Sequence, residues 1–280
     1  MLRVILLFQC RDRKGIVARI SDFIFKHGGN IVIADQYSTD AQGGYFFMRV
    51  EFILDAEQYD REALSAAFSP IAAELDAHWQ LYDKAQTLRM GIFVSKPDHC
   101  LVDLLYLWSA GQLQVKIPFV LSNCEKHRKL VTQYNLPFYY VPAHKDNRRE
   151  TELLSYALNS ADFLVLARYM LVLSPDFLGK YNKDIINIHH GLLPFFKGAD
   201  PYGRSLAEGV KVIGATVHFV NNQLDAGPII AQEVEQITHK DNQEDLIRKG
   251  KHLEQKALAC AVYNYVNHRI IRHENKTIVF

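Results

Sequence analysis

Asn187 and His189 stand two residues apart at the end of the short apolar run Ile185-Ile186-Asn187-Ile188, and Asp225 follows in the polar stretch Asn221-Asn222-Gln223-Leu224-Asp225-Ala226-Gly227-Pro228. Side chains alternate along a strand, so Asn187 and His189 share one face while Ile188 packs on the other. An amide can donate a hydrogen bond to developing negative charge, an imidazole carries protons near neutral pH, and a carboxylate can orient that imidazole. A buried, satisfied histidine is the plainer reading of His189 taken alone. His189-His190 also raises a metal site, but adjacent strand residues point to opposite faces and no further ligand recurs at useful spacing, so no metal is expected.

The elements around these residues give them a place. From residue 87 onward, apolar runs alternate with helical stretches: Met90 to Val94, a helix from Asp98, Val115 to Leu121, a helix around Glu125 to Tyr134, and Phe138 to Val141. A helix near Glu150 to Leu158, the run Phe163 to Ala167 and the Asn187 strand continue the series, which signals a mostly parallel sheet. Sites in such sheets lie beyond the carboxyl ends of the strands, where Asn187 and His189 fall. Asp200-Pro201 reads as a helix start and Gly209 as its end. Val212 to Val220 is a further strand, another begins at Ile229, and Asp241 with Glu244 predicts a capping box for a long helix reaching His268.

The first 84 residues read differently. Leu2 to Phe8 is an apolar strand. Ile16, Ile20, Phe23 and Ile24 repeat at helical spacing, and Gly28-Gly29 ends that helix. A second strand opens at Ile31, and Gln42-Gly43-Gly44 makes a turn. In the third strand Met48, Val50 and Phe52 alternate with Arg49 and Glu51, as in a half-buried sheet. Leu64, Phe68, Ile71 and Leu75 predict a helix that Pro70 should kink or divide, and Trp79 to Tyr82 supplies a last strand. The order β-α-β-β-α-β is ferredoxin-like. The whole is therefore α/β, with domains at 1–84 and 85–280.

Composition narrows the function classes. The 280 residues carry 32 basic and 31 acidic side chains, a net charge of +1, which argues against a nucleic-acid partner or an anionic membrane surface. Leu2 to Phe8 is short and leads into Gln9-Cys10-Arg11-Asp12, not a cleavage site. Phe163 to Leu173 is interrupted by Arg168 and too short to span a bilayer, so no membrane segment is expected. Cys10, Cys100, Cys124 and Cys260 form no Cys-x-x-Cys pair, which favours a cytoplasmic home.

Two resemblances sharpen this. Asp12-Arg13-Lys14-Gly15-Ile16-Val17 followed by His27-Gly28-Gly29-Asn30-Ile31 resembles the ACT domain, a regulatory and oligomerisation module. The resemblance implies an amino-acid effector near Asp12, Gly15 and Asn30 and a homo-oligomer, a dimer or tetramer. The plainer reading makes Gly15 and Asn30 simple turn and cap residues, since many ACT domains are purely oligomerisation surfaces. Asn187-Ile188-His189, the Leu192-Leu193-Pro194 loop with Lys197-Gly198, and His218-Phe219-Val220 leading to Leu224-Asp225-Ala226-Gly227 resemble the folate-dependent formyltransferase family, in order and at compatible spacing.

The second resemblance implies a Rossmann-like formyltransferase domain behind the ACT domain. It also implies that the catalytic residues are Asn187 for the oxyanion, His189 for the proton passed to the folate nitrogen, and Asp225 to hold the imidazole and accept a proton from water. Arg168, Met170, Leu171, Val172, His218 and Gly227 would bind the substrate, 10-formyltetrahydrofolate, and no permanently bound cofactor is implied. With Val94-Ser95-Lys96-Pro97-Asp98-His99-Cys100-Leu101 and Ala167-Arg168-Tyr169-Met170, the chain looks like the hydrolytic, deformylase branch of that family. A glycine-rich phosphate cradle is missing at 94–98, which favours water as acceptor. Formyl transfer to an amine, or an amino-acid sensor with an inactive catalytic domain, are the alternatives. Gly191, Phe195 and Asn222-Gln223 depart from the pattern expected of relatives.

Overall fold

The computed structural model describes residues 1–40, 43–55, 59–195 and 201–280. Gln42 of the expected turn, and Phe196, Lys197, Gly198 and Asp200 of the loop after Asn187, lie outside the described residues. The chain forms two compact units. One comprises residues 1–87 with 267–273 and 277–280; the other comprises 88–266 with 274–276. The tail, expected in the second domain, thus groups mostly with the first.

The first unit runs β1 (Leu2–Arg11), α1 (Ile16–Lys26), β2 (Asn30–Ser38), β3 (Tyr45–Leu54), α2 (Arg61–Glu74) and β4 (His78–Asp83). Its sheet has the order β2-β3-β1-β4, every neighbouring pair antiparallel. Ile16, Ile20, Phe23 and Ile24 of α1 are buried, as their spacing predicts, and the Phe23 and Phe68 rings meet edge to face at 4.9 Å. Pro70 does not divide α2. The helix continues through it because Leu64, Phe68 and Ala72 bury one face and Asp60 caps the first turn, offsetting the missing donor.

The opposite face of this sheet is also covered. Ile5, Leu7 and Phe47 pack with Ile271, Ile278 and Phe280 from β12 (Ile270–His273) and β13 (Lys276–Val279). Two-sided burial explains why β1 reads as a continuous apolar run. It also corrects the half-buried reading of β3, since Arg49 and Glu51 are 4% and 1% exposed. Arg49 donates to the His268 and Asn267 carbonyls at 3.0 and 3.2 Å. Glu51 receives Arg3 at 2.8 Å, Lys84 at 2.9 Å and Arg49 at 3.1 Å.

The second unit begins with β5 (Met90–Val94), α3 (His99–Ser109), β6 (Val120–Ser122), α4 (Arg128–Gln133), β7 (Phe138–Tyr140), α5 (Glu150–Ala157), β8 (Phe163–Leu166) and α6 (Pro175–Tyr181). It continues with β9 (Ile185–His189), α7 (Pro201–Ala207), β10 (Val212–Phe219), β11 (Ile229–Gln236) and α8 (Gln243–Val266). The strands form one sheet in the order β11-β10-β9-β8-β5-β6-β7, parallel from β9 to β7, with β10 antiparallel to both neighbours.

Strand β6 is shorter than the run from Val115 suggests. Pro118 offers no donor to a ladder, and Lys116 makes only an isolated bridge with Arg89. The cap of α8 also falls one residue later than predicted: Asn242 and Asp245 exchange side-chain bonds with each other's amides at 3.1 and 3.2 Å. Asp241 instead accepts from the Thr238 amide. The chain moves outward from β5 to β7 and returns to the other side of β5 at β8, so the carboxyl ends of β5 and β8 mark the switch point where α/β sheets bind ligands. Among the described residues no helix is long and apolar enough to cross a membrane.

Candidate active site

The site is built by register. Antiparallel pairing of β10 with β9 sets His218 opposite Asn187 and Thr216 opposite His189. Directly opposed side chains on one face touch, and Asn187 Nδ2 lies 3.1 Å from His218 Nε2. His218 Nδ1 lies 2.8 Å from the Phe219 carbonyl, which can only accept, so Nδ1 donates there, and Nε2 faces the Asn187 amide and the Asp225 carboxylate. One Asn187 N–H is directed at His218 Nε2, and the other makes no hydrogen bond among the described residues.

Asp225 comes from the loop joining β10 to β11. Gly227 lets that loop close: a Cβ there would lie 1.8 Å from the Phe219 carbonyl oxygen, and Phe219 N donates to Pro228 O at 2.9 Å just beside it. Asp225 itself adopts φ 51°, an unusual backbone state for a non-glycine residue. Its Oδ2 sits 3.3 Å from His189 Nδ1 and its Oδ1 3.7 Å from His218 Nε2, with the His189 and Asp225 side chains 5% and 9% exposed. A carboxylate at Nδ1 orients the imidazole and turns Nε2 away from Asp225.

Thr216 and Gln232 hold the next segment of chain. Thr216 Oγ1 donates to Gly191 O at 2.8 Å and accepts from Leu193 N at 3.1 Å, while Gln232 Nε2 donates to Leu193 O at 3.0 Å. Neither residue stands out in the sequence. Thr216 is two places before His218 and therefore on the same strand face, the one signal that could have revealed it.

The residues expected to bind substrate divide. Met170 and Val172, 52% and 49% exposed, and the half-buried Leu171 follow β8 at the switch point. His218, expected to line the site, is 2% exposed and sits behind Asn187, holding its amide. Gly227 is buried against Phe219, where it serves the closure of the Asp225 loop. Arg168 turns its guanidinium to Glu254, Nε to Oε2 3.3 Å.

His190 is neutral: burial, with help from the Arg168 charge, pushes its pKa down to about 3. Phe195 is exposed. Among the described residues one group, His99, Cys100 and Glu254, brings potential metal-ligand atoms within 4.8 Å of one another. The Arg168 guanidinium on the same carboxylate opposes a cation there, and burial pushes the Cys100 thiol up, away from the thiolate a metal needs.

In the first unit, Gly15 caps α1 at φ 88°, a backbone state open to glycine, with no atom near where its side chain would be. The Ser38 hydroxyl donates to Asp12, and Asn30 is exposed at the start of β2. These three lie around the β1–α1 and α1–β2 junctions.

Residues 88–262 match the formyl transferase family and residues 4–60 the ACT domain. A formyltetrahydrofolate deformylase of Bacillus subtilis is 46% identical over 98% of this chain and 93% of its own. The chain belongs to the formyltetrahydrofolate deformylase family. Another relative of that name, from Synechocystis, is 44% identical over 100% of this chain and 99% of its own length. Among solved structures, a deformylase from Pseudomonas syringae superposes with TM-score 0.91 at 39% identity, covering 100% of this chain and 95% of that one. A glycinamide ribonucleotide transformylase from Symbiobacterium toebii superposes with TM-score 0.64 at 25% identity, covering 71% of this chain and 97% of the other. The likeness to the transformylase thus spans about two thirds of the chain, while the likeness to deformylases spans its full length.

Proposed function

We propose that this enzyme hydrolyses 10-formyltetrahydrofolate to formate and tetrahydrofolate, using Asn187, His189 and Asp225. The carrying observation is the convergence of an amide, an imidazole and a carboxylate at the carboxyl end of β9, with Asp225 Oδ2 3.3 Å from His189 Nδ1. Full-length similarity to deformylases supports the choice of substrate.

In the reaction, water oxygen bonds to the formyl carbon and gives up a proton as the carbonyl becomes an oxyanion. The uncommitted Asn187 N–H donates to that oxyanion, in the manner of an oxyanion hole. His189 carries a proton to N10 of the folate through Nε2 while Asp225 holds Nδ1, and the Asp225–His189 pair takes the proton that the water loses. The carbon–N10 bond then breaks, N10 leaves as the neutral secondary amine, and the formic acid so formed gives its remaining proton to solvent and departs as formate. Met170, Leu171 and Val172 receive the pterin through apolar contact and backbone groups. No resident metal or cofactor has a step in this scheme.

The ACT unit serves assembly as a homo-oligomer, and a small amino acid binds near Asp12, Gly15 and Asn30. The four free cysteines favour a reducing, cytoplasmic compartment. The decisive assay is formate release from 10-formyltetrahydrofolate with no amine present. Release without an amine supports hydrolysis; turnover only when an amine is added would replace the reading with formyl transfer. Amino-acid binding without any turnover would leave a sensor.

A further inference from the structure

Glu254 is 1% exposed in the middle of α8, and three elements send a side chain to its carboxylate. His99 Nε2, from the start of α3, donates to Oε2 at 2.7 Å; the Tyr202 hydroxyl, from α7, donates to Oε1 at 2.8 Å; and Arg168, from the turn after β8, places Nε 3.3 Å from Oε2. Tyr202 reaches the carboxylate because position 250, one helical turn before it, is glycine. A Cβ at Gly250 would lie 1.9 Å from the Tyr202 hydroxyl oxygen. Burial pushes the Glu254 pKa up, but the His99 hydrogen bond and the Arg168 charge outweigh it, and the group stays ionised.

Arg168 needs such an anchor. Its φ of 64° is a backbone state that a non-glycine residue keeps only where its surroundings hold it. Two further bonds tie the same turn to the end of β5: Ser95 N donates to Arg168 O at 3.1 Å, and Met170 N donates to Ser95 Oγ at 3.0 Å. The turn is therefore clamped from the β5 side through its backbone and from the α8 side through the Arg168 side chain. Met170 and Val172 extend from it, half exposed, at the switch point.

We propose that Glu254 is a positioning residue: its carboxylate ties His99, Tyr202 and Arg168 together and so holds residues 168–172 in the conformation that receives the folate. The inference rests on the proposed function for the identity of the ligand. It concerns binding rather than chemistry, because Glu254 touches none of Asn187, His189 and Asp225 among the contacts described above.

The test compares Glu254→Gln, Tyr202→Phe, Arg168→Met and the double variant Arg168→Met/Glu254→Gln. Glu254→Gln should raise KM for 10-formyltetrahydrofolate roughly tenfold with kcat within about twofold, because displacement of a binding segment weakens ground and transition states alike. Tyr202→Phe, the mildest change, should raise KM by about threefold and remain folded even if Glu254→Gln does not. The double variant should bind no worse than Arg168→Met alone, since a residue acting through Arg168 has nothing left to hold. An unchanged KM in both Glu254→Gln and Tyr202→Phe, a fall in kcat at constant KM, or additive losses in the double variant would overturn the proposal. Tetrahydrofolate affinity is read alongside. If the unaltered chain released no formate, hydrolysis would fail as its function, while this affinity would still report the positioning.

Discussion

Two buried carboxylates, Glu51 in the first unit and Asp225 in the second, are held in opposite ways. Glu51 is surrounded by Arg3, Lys84 and Arg49 at 2.8 to 3.1 Å, permanent cations at short range. Asp225 faces two imidazoles at 3.3 and 3.7 Å. Arginine and lysine keep their protons throughout the physiological range, so the Glu51 cluster can only fix structure. Imidazoles as a class can exchange protons, so the Asp225 cluster is suited to the proton transfer proposed for it. A carboxylate saturated by fixed charge is structural; one partnered by titratable rings at looser distances is equipped for chemistry.

The largest effect that would break this contrast lies at the second cluster. Asp225→Asn and His189→Ala should each lower kcat by about a thousandfold or more while the melting temperature stays near that of the parent, as expected of groups acting together in proton transfer. Near-normal turnover in either variant, with folding intact, would remove Asp225 and His189 from the mechanism. Next comes Asn187→Ala, which removes a single oxyanion donor and should cost on the order of a hundredfold in kcat. Because His218 orients that amide, His218→Phe should reproduce part of the loss; full activity in His218→Phe would show that the Asn187 amide needs no such support.

The first cluster should answer in stability. Glu51→Gln leaves Arg49 and its neighbours without a counter-charge and should cost on the order of 3 kcal/mol of folding free energy with little change in kcat. Acid should then erase the difference. Burial raises the Glu51 pKa, but bonds from Lys84 and Arg49 more than reverse this, so the folded-state value lies below the ordinary one. The stabilisation is present above the unfolded carboxylate pKa and is lost as pH falls through the depressed folded value. Melting curves of parent and Glu51→Gln should converge as pH drops below about 4. A constant gap down to pH 3 would mean that ionisation of Glu51 contributes nothing.

Much of the architecture was legible along the chain. The helical spacing of Ile16, Ile20, Phe23 and Ile24 identified α1, and the alternation of apolar runs with helical stretches identified a mostly parallel sheet. Those patterns are local, and their periods are set by backbone geometry within a few residues. The tail was less legible, since β12 and β13 are short and their apolar residues matter only against a sheet face formed by residues far earlier. For the same reason the alternation of Met48, Val50 and Phe52 with Arg49 and Glu51 suggested a solvated face that the tail in fact covers.

The sequence by itself determined which residue types were available for chemistry and which strand end would carry two of them, because a two-residue spacing on a strand already means one face. Only the tertiary structure decided that His218 stands behind Asn187, that Asp225 reaches both rings, and that Arg168 pairs with Glu254. Those outcomes depend on the register of an antiparallel strand, a loop closed over a glycine, and a glutamate 86 residues further along the chain than the arginine it anchors. Strand register and long-range side-chain pairing arise from packing of the whole unit, and no short window of residues encodes them.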